Sequence, residues 1–357
     1  MMKVLHLAAG NRWTGAAAPA FAEVVALREA GVDAHYAYVG GYKLQAKIGH
    51  LDFAHPLIRK AQHPMAFLQS AKAVERLVDH HRFDVVHAHL TYDHWLGRLS
   101  VRDRKTRLAR TFHARRVLRS DPFTKSLVSR SAAVFVINDA FRSAEPLRDR
   151  APLFTPPPLD TRQFVPEGPD VREKYGIDIE TPLLLMIGKL SAGRGFEEGL
   201  QTFARVRADV PAAKLMIIGH GEHRPALEQL AKELAIEPHV IWAGYHEDDL
   251  AEHYRAADVL LFTARGSDEG HRAVLEALGC GVVPMTFPLE GMTALLGELG
   301  PLLIATHPTP ESLAATVSER LGDDLAALRR RSWEKAQEFS YAAAAKRLIG
   351  SYESILW

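Results

Sequence analysis

Pro182-Leu-Leu-Leu-Met-Ile-Gly-Lys-Leu-Ser-Ala-Gly-Arg-Gly195 lies at the middle of a 357-residue chain. It starts as an unbroken apolar run of strand length, turns through a small glycine-rich loop, and leads into a helical pattern. A run with no polar alternation is what a strand buried on both faces requires. Lys189 and Arg194 flank the loop. Free N–H groups and the helix dipole at the following helix start favour an anion there, and the two cations could grip a diphosphate from either side. The same residues also read as a plain strand–helix turn with two surface cations.

Working outward, the scheme repeats. AKLMIIG (213–219), HVIWAG (239–244), DVLLFTA (258–264), VVPMT (282–286) and PLLI (301–304) read as further buried strands of the second half. KVLHLAA (3–9), DAHYAYV (33–39), DVVHAH (84–89), RLARTF (107–112) and AVFVIN (133–138) do the same for the first half. Helical patterns lie between them, such as Phe21, Val24, Leu27 and Ala30 before Gly31, which is placed to end that helix. Strand–helix alternation implies an α/β fold of parallel sheets with helices on both faces. The proline-rich segment 153–169 (LFTPPPLDTRQFVPEGP) reads as a linker, since prolines exclude it from a helix or central strand. The final stretch puts Tyr341, Ala345, Leu348, Tyr352 and Ile355 on one helical face. Two doubly wound, Rossmann-like domains facing a cleft are expected: residues 1–160, residues 161–335, and a C-terminal helix, 336–357, crossing back to the first domain. Ligands of such sheets bind beyond the carboxyl ends of the strands, so the loops there carry the functional reading.

Composition sets the frame. With 47% hydrophobic and 24% charged residues the chain is of ordinary globular type, and its length favours two domains over one. A single cysteine, Cys280, excludes an internal disulfide and fits a reducing compartment. No apolar run approaches the roughly 18 residues of a membrane span. MMKVLHLAAG superficially resembles a signal peptide, but its short apolar stretch holds His6 and reads better as a first strand, so a cytoplasmic location is expected. The net charge of +1 conceals 25 Lys+Arg against 14 Asp+Glu in residues 1–165, and 19 against 29 in residues 166–357. Eleven basic and two acidic residues fall between Arg98 and Arg130. This is either a solvated surface or a face for an anionic acceptor or membrane. No nucleic-acid motif accompanies the charge, so no nucleic-acid partner is expected.

Other strand ends add smaller signals. Gly219 and Gly221, in Ile217-Ile-Gly-His-Gly-Glu222, let backbone approach a ligand closely. Further on, Ser267-Asp-Glu-Gly-His-Arg-Ala-Val-Leu-Glu276 holds two adjacent acids and then a third at the start of a short helix. One carboxylate accepts two hydrogen bonds well from vicinal hydroxyls, although acids at a helix start are also favoured by the dipole. Thr111-Phe-His113 ends a strand, Gly15 sits in the loop after the first strand, and Cys280 reads as a small packing residue. His87 and His89 point the same way at another strand end. No third ligand has convincing spacing, so no metal site is assigned.

Taken in order, these pieces resemble the family 4 glycosyltransferases of the GT-B fold over nearly the whole chain. The order runs from the Gly15 loop, DVVHAH and Thr-x-His through the Pro-rich linker ending LDTRQF. It continues with Gly-Lys…Arg-Gly, IIGHG, AGY, the acidic segment and a terminal helix. The resemblance implies transfer of a hexose-type sugar from a nucleoside diphosphate donor, with retention and with protein cations rather than a metal at the leaving diphosphate. It places Lys189 and Arg194 on the diphosphate, in reverse of the family's Arg-then-Lys order, which keeps charge but shifts bidentate geometry. His113 would face the donor sugar and phosphate, and Gly15, Gly188 and Gly219 the donor. Tyr245 and His246 fall where backbone reads the nucleobase, and Glu276 would hold the ribose. Gly270, His271, Arg272 and Ala273 line the approach to that helix. The family's first acid falls on Asp268, with seven residues between it and Glu276, unless a one-residue deletion hands the role to Glu269. No cofactor is implied. The expected acceptor is an anionic or lipid-linked glycan, met by peripheral contact of the basic domain with the inner face of a membrane. A nucleotide-sugar epimerase and a non-catalytic nucleotide-sugar-binding relative are the alternatives.

Overall fold

The computed structural model describes residues 1–10, 13, 15–60, 64–101, 105–264, 270–322 and 325–357. The chain forms two compact units, Met1–Pro158 with Phe339–Trp357, and Leu159–Glu338.

The first unit is built on a seven-stranded parallel sheet: β1 Lys3–Ala8, β2 Asp33–Val39, β3 Ala54–Ile58, β4 Val85–Ala88, β5 Arg107–Phe112, β6 Ala133–Val136 and β7 Leu153–Phe154. Their order is β3-β2-β1-β4-β5-β6-β7, so the connections change direction between β1 and β4. The register there pairs His6 with His87. Val4, Leu5, Leu7, Val85 and Val86 are fully buried, as strands covered on both faces must be. The helix Ala17–Glu29 buries Ala20, Val24 and Leu27 against the sheet and against the helix Tyr341–Leu356, whose Leu348 and Tyr352 join the same core. Glu23 sits in the middle of that buried face.

The second unit holds five parallel strands: β8 Leu183–Ile187, β9 Lys214–Ile218, β10 Val240–Gly244, β11 Val259–Phe262 and β12 Val283–Thr286, in the order β10-β9-β8-β11-β12. The order reverses between β8 and β11, and loops beyond these two strands are where a doubly wound sheet opens for a ligand. The helix Phe196–Asp209 lays Phe196, Leu200, Phe203 and Val206 on the sheet at helical spacing.

One reading changes, and two features of the first unit and the linker are added to it. PLLI (301–304) is not a strand: Gly300–Leu303 is a helical turn with Pro301 in its first turn, and Ile304 alone makes a bridge, to Thr286. β3 and β7 give little pattern, because AHPLI buries only its end residues and β7 is two residues long at the sheet edge. The Pro-rich segment does link the two units, which divide at Pro158–Leu159, and it is packed rather than solvated. Leu153 and Phe154 pair with β6, while Leu159 and Phe164 are buried, Phe164 packing edge-on against Tyr254.

Candidate functional site

In the second unit, the loop after β8 is shaped by glycines that no other residue could replace. A Cβ on Gly219 would lie 1.8 Å from the Gly188 carbonyl oxygen, at φ +145°. One on Gly195, which caps the helix Phe196–Asp209 at φ +82°, would lie 2.3 Å from the Thr263 carbonyl. Thr263 in turn donates its hydroxyl to the Gly195 carbonyl at 2.6 Å. The Gly188 loop is thus clamped between the ends of β9 and β11, and Gly219 N–H reaches Gly244 O at the end of β10 (2.7 Å).

This clamp forms one wall of a pocket. Gly188, Lys189 and Arg194 line it on one side, Arg272, Ala273 and Glu276 on the other, with Phe196 and Phe262 between. The helix Arg272–Gly279 supplies the second side. It starts after His271, held in the left-handed region at φ +51° with its Nε2 donating to Glu290 O at 3.0 Å. Glu276 is 6% exposed, so its charge must be held by neighbours. Tyr254 donates its hydroxyl to Oε2 at 3.0 Å, and Arg272 Nε lies 3.1 Å from Oε1. An ionised carboxylate has about four acceptor sites. Lys189 is exposed and paired with exposed Glu222 at 3.6 Å, a weak contact that a phosphate can displace.

Asp268 and Glu269 lie outside the described residues; the nearest described neighbours are Ala264, itself a pocket residue, and Gly270. Tyr245 and His246 follow β10 rather than line the pocket. The Tyr245 ring stands 61% exposed, edge-on to His220, and His246 is bound by Asp249 at 2.8 Å and Ala243 O at 3.0 Å. With its side chain so committed, His246 has only backbone to offer a ligand. Burial pushes the Cys280 thiol up to about 12, in keeping with a packing role.

In the first unit, His113 follows β5, and its Nε2 lies 2.9 Å from His89 Nδ1. Its Nδ1 has no hydrogen-bond partner among the described residues. Burial, with Arg110 close by, drives its pKa down to about 3, so the imidazole is neutral. Gly15 has φ +55° just before the helix Ala17–Glu29, with nothing within 4 Å of where a Cβ would stand. Behind His113 lies a buried chain. His89 Nε2 is 2.9 Å from His6 Nδ1, His6 Nε2 is 3.3 Å from the Tyr352 hydroxyl, and Tyr352 is 2.6 Å from His87 Nδ1. His87 Nε2 closes on Thr111 Oγ1 at 2.7 Å. Asp93 accepts from Ala9 N (2.7 Å) and Leu90 N (2.8 Å), tying the loop after β1 to the loop after β4. Burial pushes Asp93 up to about 7 and Glu23 up to about 8, against the opposing pull of Arg110 and Arg347 respectively.

Residues 168–344 match the family model described as Glycosyl transferases group 1, and residues 14–144 match Glycosyltransferase Family 4. The chain belongs to the family 4 glycosyltransferases. This glycosyltransferase is 24% identical to the N-acetyl-alpha-D-glucosaminyl L-malate synthase of Bacillus anthracis, over 83% of the chain and 80% of that protein. It is 26% identical to the GDP-mannose-dependent alpha-(1-6)-phosphatidylinositol monomannoside mannosyltransferase of Mycolicibacterium smegmatis, over 71% and 68%. Its fold is GT-B: Anabaena Alr3699/HepE in complex with UDP superposes with a TM-score of 0.82 at 16% identity, over 99% of this chain and 100% of that one. No described helix of the glycosyltransferase is long and apolar enough to cross a membrane.

Two bracing residues of the glycosyltransferase, one in each unit, escaped the sequence. Tyr254 reads only as part of a helix, AEHYRA, and Asp93 only as an acid in a helix's first turn. In Asp93 the local signal was there, an acid at the third helical position after a strand, where it can cap backbone N–H groups.

Proposed function

We infer that the enzyme is a retaining, metal-independent hexosyltransferase that takes its sugar from a nucleoside diphosphate donor and passes it to an acceptor hydroxyl in bacterial cell-surface glycan or lipopolysaccharide-type assembly. One observation carries this reading: Lys189, Arg194 and a buried, braced Glu276 share a single pocket at the switch point of the second sheet. A diphosphate calls for cations, a ribose for a carboxylate, and here both lie in one hollow. UDP bound to the Anabaena relative and the GDP-mannose dependence of the mycobacterial one support a nucleotide donor. In this reading Asp268, or Glu269 in its place, meets the transferred sugar, and His113 Nδ1–H meets the donor sugar or phosphate. The Tyr245–His246 backbone reads the base. The acceptor hydroxyl attacks from the face the diphosphate leaves, and a donor phosphate oxygen takes its proton.

Thermal unfolding in EDTA with UDP, GDP, ADP and their sugar conjugates tests the donor site. A ligand at about 100 times its Kd should add roughly 2.7 kcal/mol to stability. A shift with one nucleotide family, lost in Glu276→Ala, is the expected result. A shift that persists in Glu276→Ala would remove the ribose role.

The acceptor side rests on the first unit's charge. Arg115, Arg116, Arg119, Lys125 and Arg130 are exposed near Phe123, itself 70% exposed. Binding to anionic vesicles should weaken as salt rises, because the Debye length shrinks to about 3 Å at 1 M. Equal partition onto neutral and anionic vesicles would overturn the membrane-surface assignment.

A further inference from the structure

We propose that His6, Glu23 and His89 form a buried site for one divalent transition-metal ion, zinc by the chemistry of the donor set, inside the first unit. The three residues come from different elements: His6 from β1, Glu23 from the helix Ala17–Glu29, and His89 from just beyond β4. All are at most 1% exposed. Their ligand atoms face one another. His6 Nδ1 is 2.9 Å from His89 Nε2, and Glu23 Oε2 is 3.5 Å from the first and 3.7 Å from the second.

The two longer separations are outside hydrogen-bonding range. They are the separations of atoms that share an ion. The centre of a triangle with those sides lies about 2.0 Å from each corner, which is the bond length of zinc to imidazole nitrogen and carboxylate oxygen. Glu23 Oε2 has no hydrogen-bond partner among the described residues, although it is buried and the ring nitrogens around it are all engaged. A buried carboxylate oxygen without a partner calls for one that the chain itself does not supply, and a cation is one such partner.

The surroundings fit as well. A metal-bound histidine is normally held by a partner at its other ring nitrogen. Here His6 Nε2 meets the Tyr352 hydroxyl and His89 Nδ1 meets His113 Nε2. His87 is close, its ligand atom within 4.8 Å of the other three, but Tyr352 and Thr111 occupy both its nitrogens. It becomes the fourth ligand only by releasing one of them. Two imidazoles and a carboxylate suit zinc better than calcium or magnesium, which take oxygen. On binding, both facing nitrogens must be bare of hydrogen, so the proton they share is exchanged to the far nitrogen of its ring and each imidazole stays neutral, His6 carrying its hydrogen on Nε2 toward the Tyr352 hydroxyl. His89 must then carry hydrogen on Nδ1 and donate it to His113 Nε2, which leaves His113 Nδ1 as a fixed N–H donor. The ion thus pins three elements together and sets the tautomer of His113.

The test uses full-length protein folded in zinc-supplemented cells and freed of loose metal by gel filtration in EDTA. Elemental analysis should find about one zinc per chain, as for a structural site. Glu23→Gln should fall to background. His55→Ala/His81→Ala, which removes the separate partly exposed His35, His55 and His81 cluster, should keep it. Should Glu23→Gln fail to fold, anomalous diffraction at the zinc edge on wild-type crystals decides, with a peak expected between His6, Glu23 and His89. Folded wild type that stays metal-free even after refolding with zinc overturns the site. So does full zinc in folded Glu23→Gln, or a peak elsewhere.

Discussion

Lys189→Ala and Arg194→Ala should each lose roughly 10²-fold to 10³-fold in kcat/KM, the usual penalty for removing one charge-stabilising group from a reacting centre. Negative charge builds on the diphosphate as the sugar–phosphate bond breaks, and these two cations flank the loop that would hold it. Their order matters too. Arg can make two parallel hydrogen bonds to a phosphate where Lys acts as a point charge, so Lys189→Arg should recover only part of the activity. Melting curves of the Lys189 variants should match the wild type, since Lys189 is exposed and its ion pair with Glu222 is on the surface. Near-normal turnover in both alanine variants would take the diphosphate out of this pocket. NMR of the product from the same assays reads the anomeric configuration of the new bond, and an inverted product would overturn retention.

Arg172→Met should lower stability by about 3–5 kcal/mol, the cost of stripping one partner from a buried ion pair. Arg172 is 8% exposed at the opposite end of the second sheet from the pocket. Its Nε reaches Ala256 O at 2.9 Å, Nη1 reaches Asp178 O and Thr181 O at 2.9 Å, and Nη2 reaches Asp258 Oδ2 at 2.9 Å. That carboxylate also accepts Leu183 N and Arg329 Nη1, so β8, β11 and the helix Leu325–Ala336 share one charge network. Methionine fills the volume but leaves Asp258 and several carbonyls short of donors. Denaturant midpoints measure the loss, and a fall below about 1 kcal/mol would show that Asp258 and Arg329 suffice alone. Turnover of the folded fraction should survive, because the network is remote from the pocket.

How much of this could be read from residues alone follows from distance along the chain. The β8 strand, its loop and the helix after it are contiguous, so Lys189 and Arg194 announced themselves together. Glu276 stood out because an acid in an apolar run conflicts with burial. The helix starts at Arg272, however, so Glu276 lies in its interior rather than at its start, and Arg272 and Ala273 belong to its first turn. The first sheet's edge strands β3 and β7 did not show, since AHPLI buries only its end residues and β7 is two residues long. PLLI misled because four apolar residues fit a strand or a turn of helix equally well. The His6, Glu23 and His89 cluster was invisible for another reason. Its members are separated by 17 and 66 residues, and only the pairing of β1 with β4 and the seat of one helix bring them together. His87 and His89 were noticed as a pair, but their missing companion lay on a neighbouring strand.

The first unit closes only when the chain comes back to it. The face of the helix Ala17–Glu29 that carries Val24 and Leu27 is covered by the helix Tyr341–Leu356, and between them the ribosome must deliver the whole of the second unit. The second unit is contiguous and can fold as it emerges. The first must wait with apolar surface bare, which places its greatest exposure to chaperones and to aggregation in the interval between synthesis of its two parts.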